Sequence, residues 1–400
     1  MGLGLGSTLV IARGLGPSGR GDSAAAMSAL FLLPIVIGLG LPMVARRISS
    51  LGRSQEVIRT VRRSLFGLLV LSVVFGFVLV MGPLHGLDPN ARVAAFVGFC
   101  LAPLTVLWMS EEGVLIAQNR YFEVAIVQFV VPGTFFLGLL VAELTNSLSV
   151  DAVITAAISA NLLALITSTS LTRIPLMGGS IGLRRCFRES VTYAGAQTAE
   201  ASTNKLDQIV LLPVIGSTEL GYYSIAATVS MVPLAVAYAI TAKLFRRVAV
   251  TSGEERRDLQ LRAVRSALYW AIVAASVCAA LAVPLIPLVF GSDFENAIVP
   301  TLICSVGTIG LLTAQVASNV LAASKRGKFV TFAQITGLGV NVLGIFAVAA
   351  HLGATGAAIA SALAYSTIMV ILLAGLNVSP TDLSPSIGRI KIAFRELMAG

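Results

Sequence analysis

The residues best equipped for chemistry lie where charge is most expensive. Within the apolar stretch 191–215 stand Gln197, Glu200, Asn204, Lys205, Asp207 and Gln208. On a helix, Glu200, Asn204 and Asp207 fall within about 60° of one another, with Gln197 and Gln208 flanking them. Lys205 forms the far edge of this polar wedge, and Ala199, Leu206 and Val210 make an apolar back. Amides, carboxylates and an ammonium grouped this way can line a water-filled pathway for a substrate or an ion. Each ionisable group in mid-membrane costs roughly 2.5–3.5 kcal/mol on insertion scales. Neither Glu200 nor Asp207 sits three or four residues from Lys205, the spacing at which side chains pair on one helix. The partner of Lys205 is therefore expected on another helix, in water or on a substrate. Two readings stay open: an interhelical ion pair that locks the fold, and a water-filled substrate or ion pathway.

Other chemistry finds little support. Cys100, Cys278 and Cys304 fall in apolar stretches and Cys186 in a polar one, with no disulfide framework or metal-ligand spacing. His85 and His351 stand alone at expected helix ends. There is no Walker loop, no HExxH and no CxxC, so no cofactor and no metal is expected, and no enzyme motif stands behind the chain.

The elements that must position the wedge follow from composition. Hydrophobic residues make up 56% of the 400 positions and charged ones 12%, about half the charged share of an ordinary soluble domain. Apolar stretches near the roughly 20 residues needed to cross a bilayer recur with short polar breaks, which predicts an all-α integral membrane protein. The expected spans are 1–14, 24–45, 64–83, 91–109, 122–142, 151–171, 191–215, 222–242, 266–290, 297–323, 329–350 and 353–375.

The net charge of +9 is distributed by side. Over alternate connections one face collects 24 Lys and Arg, while the other has only Arg13, Arg20 and Arg92. This bias predicts cytoplasmic termini and cytoplasmic basic loops, and argues against a nucleic-acid partner. The opposite connections, Leu84 to Asn90, Glu143 to Val150, Gly216 to Gly221 and Gly291 to Asn296, are too short to hold an external domain.

The chain also repeats itself. Gly16 and Gly21 recur as Gly216 and Gly221, and Arg46-Arg47 as Arg246-Arg247. The run Val114 to Arg120 resembles Val320 to Arg326, continuing through Val124 and Val330 to Gln128 and Gln334. Six spans per repeat give two parallel six-helix lobes, 1–190 and 191–375, followed by a basic cytoplasmic tail, 376–400. Parallel repeats of this size are a transporter plan, with the substrate site between them near the midplane.

Several of these residues carry a family likeness. Arg13-Gly14-Leu15-Gly16-Pro17 followed by Gly19-Arg20-Gly21 resembles the start of bacterial polysaccharide export proteins. These are the O-antigen flippase-like branch of the multidrug/oligosaccharidyl-lipid/polysaccharide exporter superfamily. Asp207 leading to Gly216 and Gly221-Tyr222-Tyr223, then Phe290-Gly291-Ser292-Asp293-Phe294 and Gly353-Ala354-Thr355-Gly356-Ala357-Ala358, resemble its later landmarks. The resemblance implies a two-lobed bundle that flips polyprenyl-diphosphate-linked glycans between leaflets by alternating access. It also implies a cationic cavity, for which Arg13 and Lys205 are the candidates. Glu200 and Asp207 depart from a purely anion-attracting cavity and leave room for proton or sodium coupling. The first span is expected to be abbreviated at Met1, since the matching helix of the second half begins near Ser190. The leading expectation is thus a flippase of lipid-linked oligosaccharide or polysaccharide precursors in a bacterial cell membrane. The alternative is a cation-coupled small-molecule or multidrug exporter of the same superfamily.

Overall fold

In a computed structural model, the protein is described over residues 2–234, 253–323 and 326–378, without the side chains of residues 193, 196, 197, 200, 253–256, 322 and 323. Its regular structure there is helical. Among the described residues eight helices are long and apolar enough to cross a membrane, or nine when the pair Pro89–Cys100 and Ala102–Ala117, bent by 45°, is taken as one span. A lipid environment explains this: with no water to satisfy peptide groups, each crossing segment must bond its backbone internally.

The contacts divide the chain into two compact units, 1–221 and 222–400. The first contains α1 (Gly2–Gly38), α2 (Leu41–Ser50), α3 (Ser54–Met81), α4 (Pro89–Cys100), α5 (Ala102–Ala117), α6 (Tyr121–Leu144) and α7 (Val150–Thr172), together with most of α8 (Leu183–Ser230). Small residues set its helix spacing. A methyl group at Gly138 would lie 2.9 Å from Ala156 Cβ, and one at Gly113 would lie 2.8 Å from the Pro42 carbonyl. Where lipid is as apolar as a side chain, such close backbone approach is the main source of helix association.

The second unit holds the end of α8, α9 (Gly253–Phe290), α10 (Ile298–Ala323), α11 (Gly327–Gly344) and α12 (Ala350–Gly375), with a π-helical turn at Ile345–Ala349. Its core gathers Leu311, Ala314, Ala317 and Leu321 of α10 against Tyr365, Ile368 and Leu372 of α12. Tyr223 and Ser361 share a 2.7 Å hydrogen bond between their hydroxyls.

Several boundaries differ from expectation for a common reason. Residues 15–23, expected as a connection, are helical apart from a break at Gly16, so Arg20 belongs to a helix. Pro17 follows the break, where a new helical segment loses nothing by lacking an N–H. The expected span 91–109 bends at Leu101 and runs on to Ala117, and the basic stretch 46–63 is largely α2 and the start of α3. The spans expected at 122–142 and 151–171 match α6 and α7 closely. The expected span 222–242, the basic stretch 243–265 and the tail 376–400 lie partly or wholly outside the described residues.

Candidate functional site

The site is built on two broken helices that match across the repeat. Gly16 (φ 65°, ψ −172°) breaks α1 and Gly216 (φ 80°, ψ 169°) breaks α8. Both conformations lie in a region open essentially to glycine alone. Five residues after each break comes a second glycine, and these two meet the opposite helix. A Cβ on Gly21 would lie 1.8 Å from the Ser217 carbonyl oxygen, and one on Gly221 would lie 1.9 Å from the Pro17 carbonyl oxygen. The contact is reciprocal: adding 200 to 17 and 21 gives 217 and 221. Ser217 Oγ closes it by donating to Asp22 Oδ1 at 2.5 Å.

From this crossing the same two helices run past each other along the polar wedge. Ser28 Oγ of α1 donates to Gln208 Oε1 of α8 at 2.6 Å. Asp207 is 5% exposed, and its Oδ1 accepts the backbone N–H of Gln208 at 2.8 Å. Lys205 is half-buried, with its Nζ 6.0 Å from the centroid of the Phe31 ring of α1. Asp207 and Arg20 both lie within electrostatic reach of the ammonium. Among the described residues no hydrogen bond or ion pair holds that ammonium. An ammonium carries three N–H donors, which suit an anionic group of a ligand.

The expected site residues separate as follows. Lys205 and Gln208 meet α1 at Phe31 and Ser28, Asp207 is buried between them in sequence, and Asn204 is half-buried one residue before Lys205. Gln197 and Glu200 lie on α8, and their side chains are outside what is described. Arg13 is exposed, on the segment of α1 before the Gly16 break. Sequence reasoning missed Arg20, Asp22, Ser28, Phe31 and Ser217. The available signal was the glycine repeat itself, because a feature shared by two helices points at what lies between them.

A second charged cluster sits at the basic ends of the first unit. Glu111 of α5 is fully buried and accepts from Arg62 Nη2 at 2.9 Å, Ser168 Oγ at 2.7 Å and Thr169 Oγ1 at 2.9 Å. Arg62 also donates to the Ile174 carbonyl at 2.8 Å. With its carboxylate so fully engaged, this cluster is a structural clamp joining α3, α5 and α7. Nearby, Cys186 is buried in the first turn of α8, and burial together with the Glu189 charge pushes its thiol up to about 11.

Comparison with known proteins adds context to this geometry. The sequence profile of the family described as "Polysaccharide biosynthesis protein" matches residues 1–245. No curated protein sequence matches the chain. Among solved structures, the lipid II flippase MurJ in an inward closed conformation superposes with a TM-score of 0.77 at 15% identity, covering 99% of this chain and 89% of MurJ. An inward-facing MATE-family multidrug resistance transporter of the MOP superfamily gives 0.73 at 14% identity, covering 98% and 95%. An outward-facing MATE structure gives 0.58 at 13% identity, covering 98% and 96%.

Proposed function

Since the chain belongs to the polysaccharide biosynthesis protein family, we propose that it moves a lipid-linked oligosaccharide or polysaccharide precursor across the bacterial cell membrane by alternating access. The observation that carries this reading is the Lys205 ammonium, half-buried on a spanning helix with no hydrogen-bond or ion-pair partner among the described residues. Such a charge is costly in a bilayer, and a polyprenyl diphosphate offers the counter-charge it lacks. An ammonium suits phosphate as a point charge, while a guanidinium such as Arg20 or Arg13 can engage it in two bonds. Gln197, Asn204 and Gln208 supply amides of the kind that bind sugar hydroxyls. The likeness to a lipid II flippase supports the same substrate class. The protein acts as a transporter and not as an enzyme: it moves its cargo without making or breaking a covalent bond.

The architecture that fits this function has twelve spans in two six-helix lobes, 1–190 and 191–375. The breaks at Gly16, Gly216 and Gly353 support it, since each lies inside one of the nine candidate spans found among the described residues, and twelve spans follow if each break separates two. The basic side, the termini and the tail 376–400 then face the cytoplasm.

Reconstitution in liposomes containing a polyprenyl-diphosphate-linked glycan tests the proposal, with the fraction of glycan reached by an impermeant glycosidase as the readout. One charge-assisted contact is worth roughly 1.5–3 kcal/mol, or about 10- to 150-fold in affinity. Lys205→Ala is therefore expected to lower flipping at subsaturating glycan by about 10- to 150-fold, and Lys205→Arg to keep part of it. Normal flipping by a folded Lys205→Ala protein would remove Lys205 from the mechanism.

A second reading is a cation-coupled exporter of small molecules, favoured by Asp207 beside Lys205 and by the likeness to MATE transporters. It predicts efflux driven by a proton or sodium gradient that Asp207→Asn eliminates, with no glycan movement at all.

A further inference from the structure

The segment joining α7 to α8, residues 173–182, is tied down along its length. Arg62 donates to the Ile174 carbonyl at 2.8 Å, and Arg59 to the Pro175 and Gly179 carbonyls at 3.0 and 3.2 Å. Arg63 bonds Ser180, and Thr60 Oγ1 accepts the Ile181 N–H at 2.9 Å. A strap bonded this way has a defined position relative to α3. At its tip, however, Leu176 and Met177 are 80% and 89% exposed. Two large apolar side chains held outward on a rigid segment have no reason to face water.

Their height along α3 indicates what they face. The exposed apolar surface of α3 begins at Phe66, which is 78% exposed and continues through Leu69 and Val70. At 1.5 Å per residue, Arg62 lies about 6 Å and Thr60 about 9 Å beyond Phe66. The polar layer of a bilayer occupies roughly 5–8 Å on each side of the hydrocarbon. The strap is thus at the level of lipid headgroups. Its surroundings are mainly basic: Arg63, Arg173, Arg184, Arg185 and Arg188 are exposed, while the acids nearby, Glu56 and Glu189, are already paired with Arg53 and Arg47.

We propose that this strap is an anchor for anionic phospholipid, with Leu176 and Met177 inserted into the interfacial layer and the flanking arginines on lipid phosphates. The proposal rests on the membrane reading of the fold and is independent of what the protein carries. Interfacial apolar side chains and nearby basic residues act together in such anchors, each arginine contributing roughly fivefold to attraction by an anionic surface.

The test uses the full chain in a cysteine-free background with a bimane fluorophore on Met177→Cys, reconstituted in nanodiscs of phosphatidylcholine with and without phosphatidylglycerol. Lipids carrying a nitroxide near the headgroup are expected to quench the probe, aqueous iodide to quench it weakly, and nitroxide phosphatidylglycerol to outperform nitroxide phosphatidylcholine. Replacing Arg184, Arg185 and Arg188 together with Gln should bring that ratio close to one while leaving the lipid quenching in place. Leu176→Cys should report the same pattern, which guards against a local effect of the Met177 substitution. Strong iodide quenching without lipid quenching would overturn the anchor. So would shielding from both quenchers, which means that protein covers the tip. Equal quenching by the two nitroxide lipids in the unsubstituted background would overturn the role given to the arginines. Glycan flipping enters none of these readouts, so failure here and failure of the flippase proposal are separate results.

Discussion

Replacing Gly221 with alanine asks a sharp question of the α1–α8 crossing. The added methyl carbon would sit 1.9 Å from the Pro17 carbonyl oxygen, whereas real contacts of this kind essentially never fall below 3.0 Å. The helices must therefore separate by about 1.1 Å at that point, the difference between those two distances. The obstacle is backbone, so no side chain can rotate aside. Overpacking typically costs about 1–3 kcal/mol, and a gap of 0.5–1 Å forfeits about a quarter to a half of each dispersion contact it opens. The expected loss lies near the upper end, about 3 kcal/mol. Gly21→Ala requires nearly the same separation, because its methyl would lie 1.8 Å from the Ser217 carbonyl oxygen. The double variant should therefore cost about as much as either single one, a coupling of about 2–3 kcal/mol. Gly67→Ala is the control: nothing lies within 4 Å of a methyl there, and exchanging helical Gly for Ala should gain up to about 1 kcal/mol. Equilibrium unfolding in mixed micelles measures all four proteins. If Gly221→Ala behaves like Gly67→Ala, or if the two crossing substitutions simply add, the reciprocal contact is wrong.

Gly16→Ala and Gly216→Ala should each destabilise by about 1–3 kcal/mol in the same unfolding assay, because alanine is strained at both dihedral pairs. Arg62→Ala should cost about 3–5 kcal/mol by leaving the buried Glu111 carboxylate unpaired. Arg62→Ala combined with Glu111→Gln should recover part of that loss, and no recovery would argue against the clamp. Alkylation of Cys186, followed by mass spectrometry, should be negligible at neutral pH and rise with an inflection near pH 11. The sign follows from linkage: a thiol raised above its ordinary value of 9.0 contributes stability below about pH 9 that is lost as pH climbs through 11.

Much of this was legible because membrane helices obey a simple length and polarity rule. Lys205, Asp207 and Gln208 stood out as polar residues in an apolar stretch, and the structure brings Lys205 and Gln208 against α1. Arg20 was harder to place. Gly16, Pro17, Gly19 and Gly21 have the composition of a turn in water, and reading them so put Arg20 on the outer connection. In lipid the same small residues let two backbones touch, so the segment stays helical after a single break. Glu111 was missed for a different reason. Its value depends on Arg62, 49 positions earlier, and no spacing rule links residues that distant. The tip of the strap was equally hidden, since the exposure of Leu176 and Met177 depends on bonds made by α3.

The reciprocity of the glycine contact also bears on how such a chain can arise and change. Two identical shorter chains meeting about a two-fold axis make one contact twice, so each substitution alters both edges together. In a single chain the two edges are separate positions and can change independently: here Pro17 and Ser217 differ while Gly21 and Gly221 coincide. The carbonyl edges tolerate divergence because what each presents to the facing glycine is backbone, whatever its side chain does beside it. The glycine edges cannot follow, because a methyl group on either one closes the distance for both.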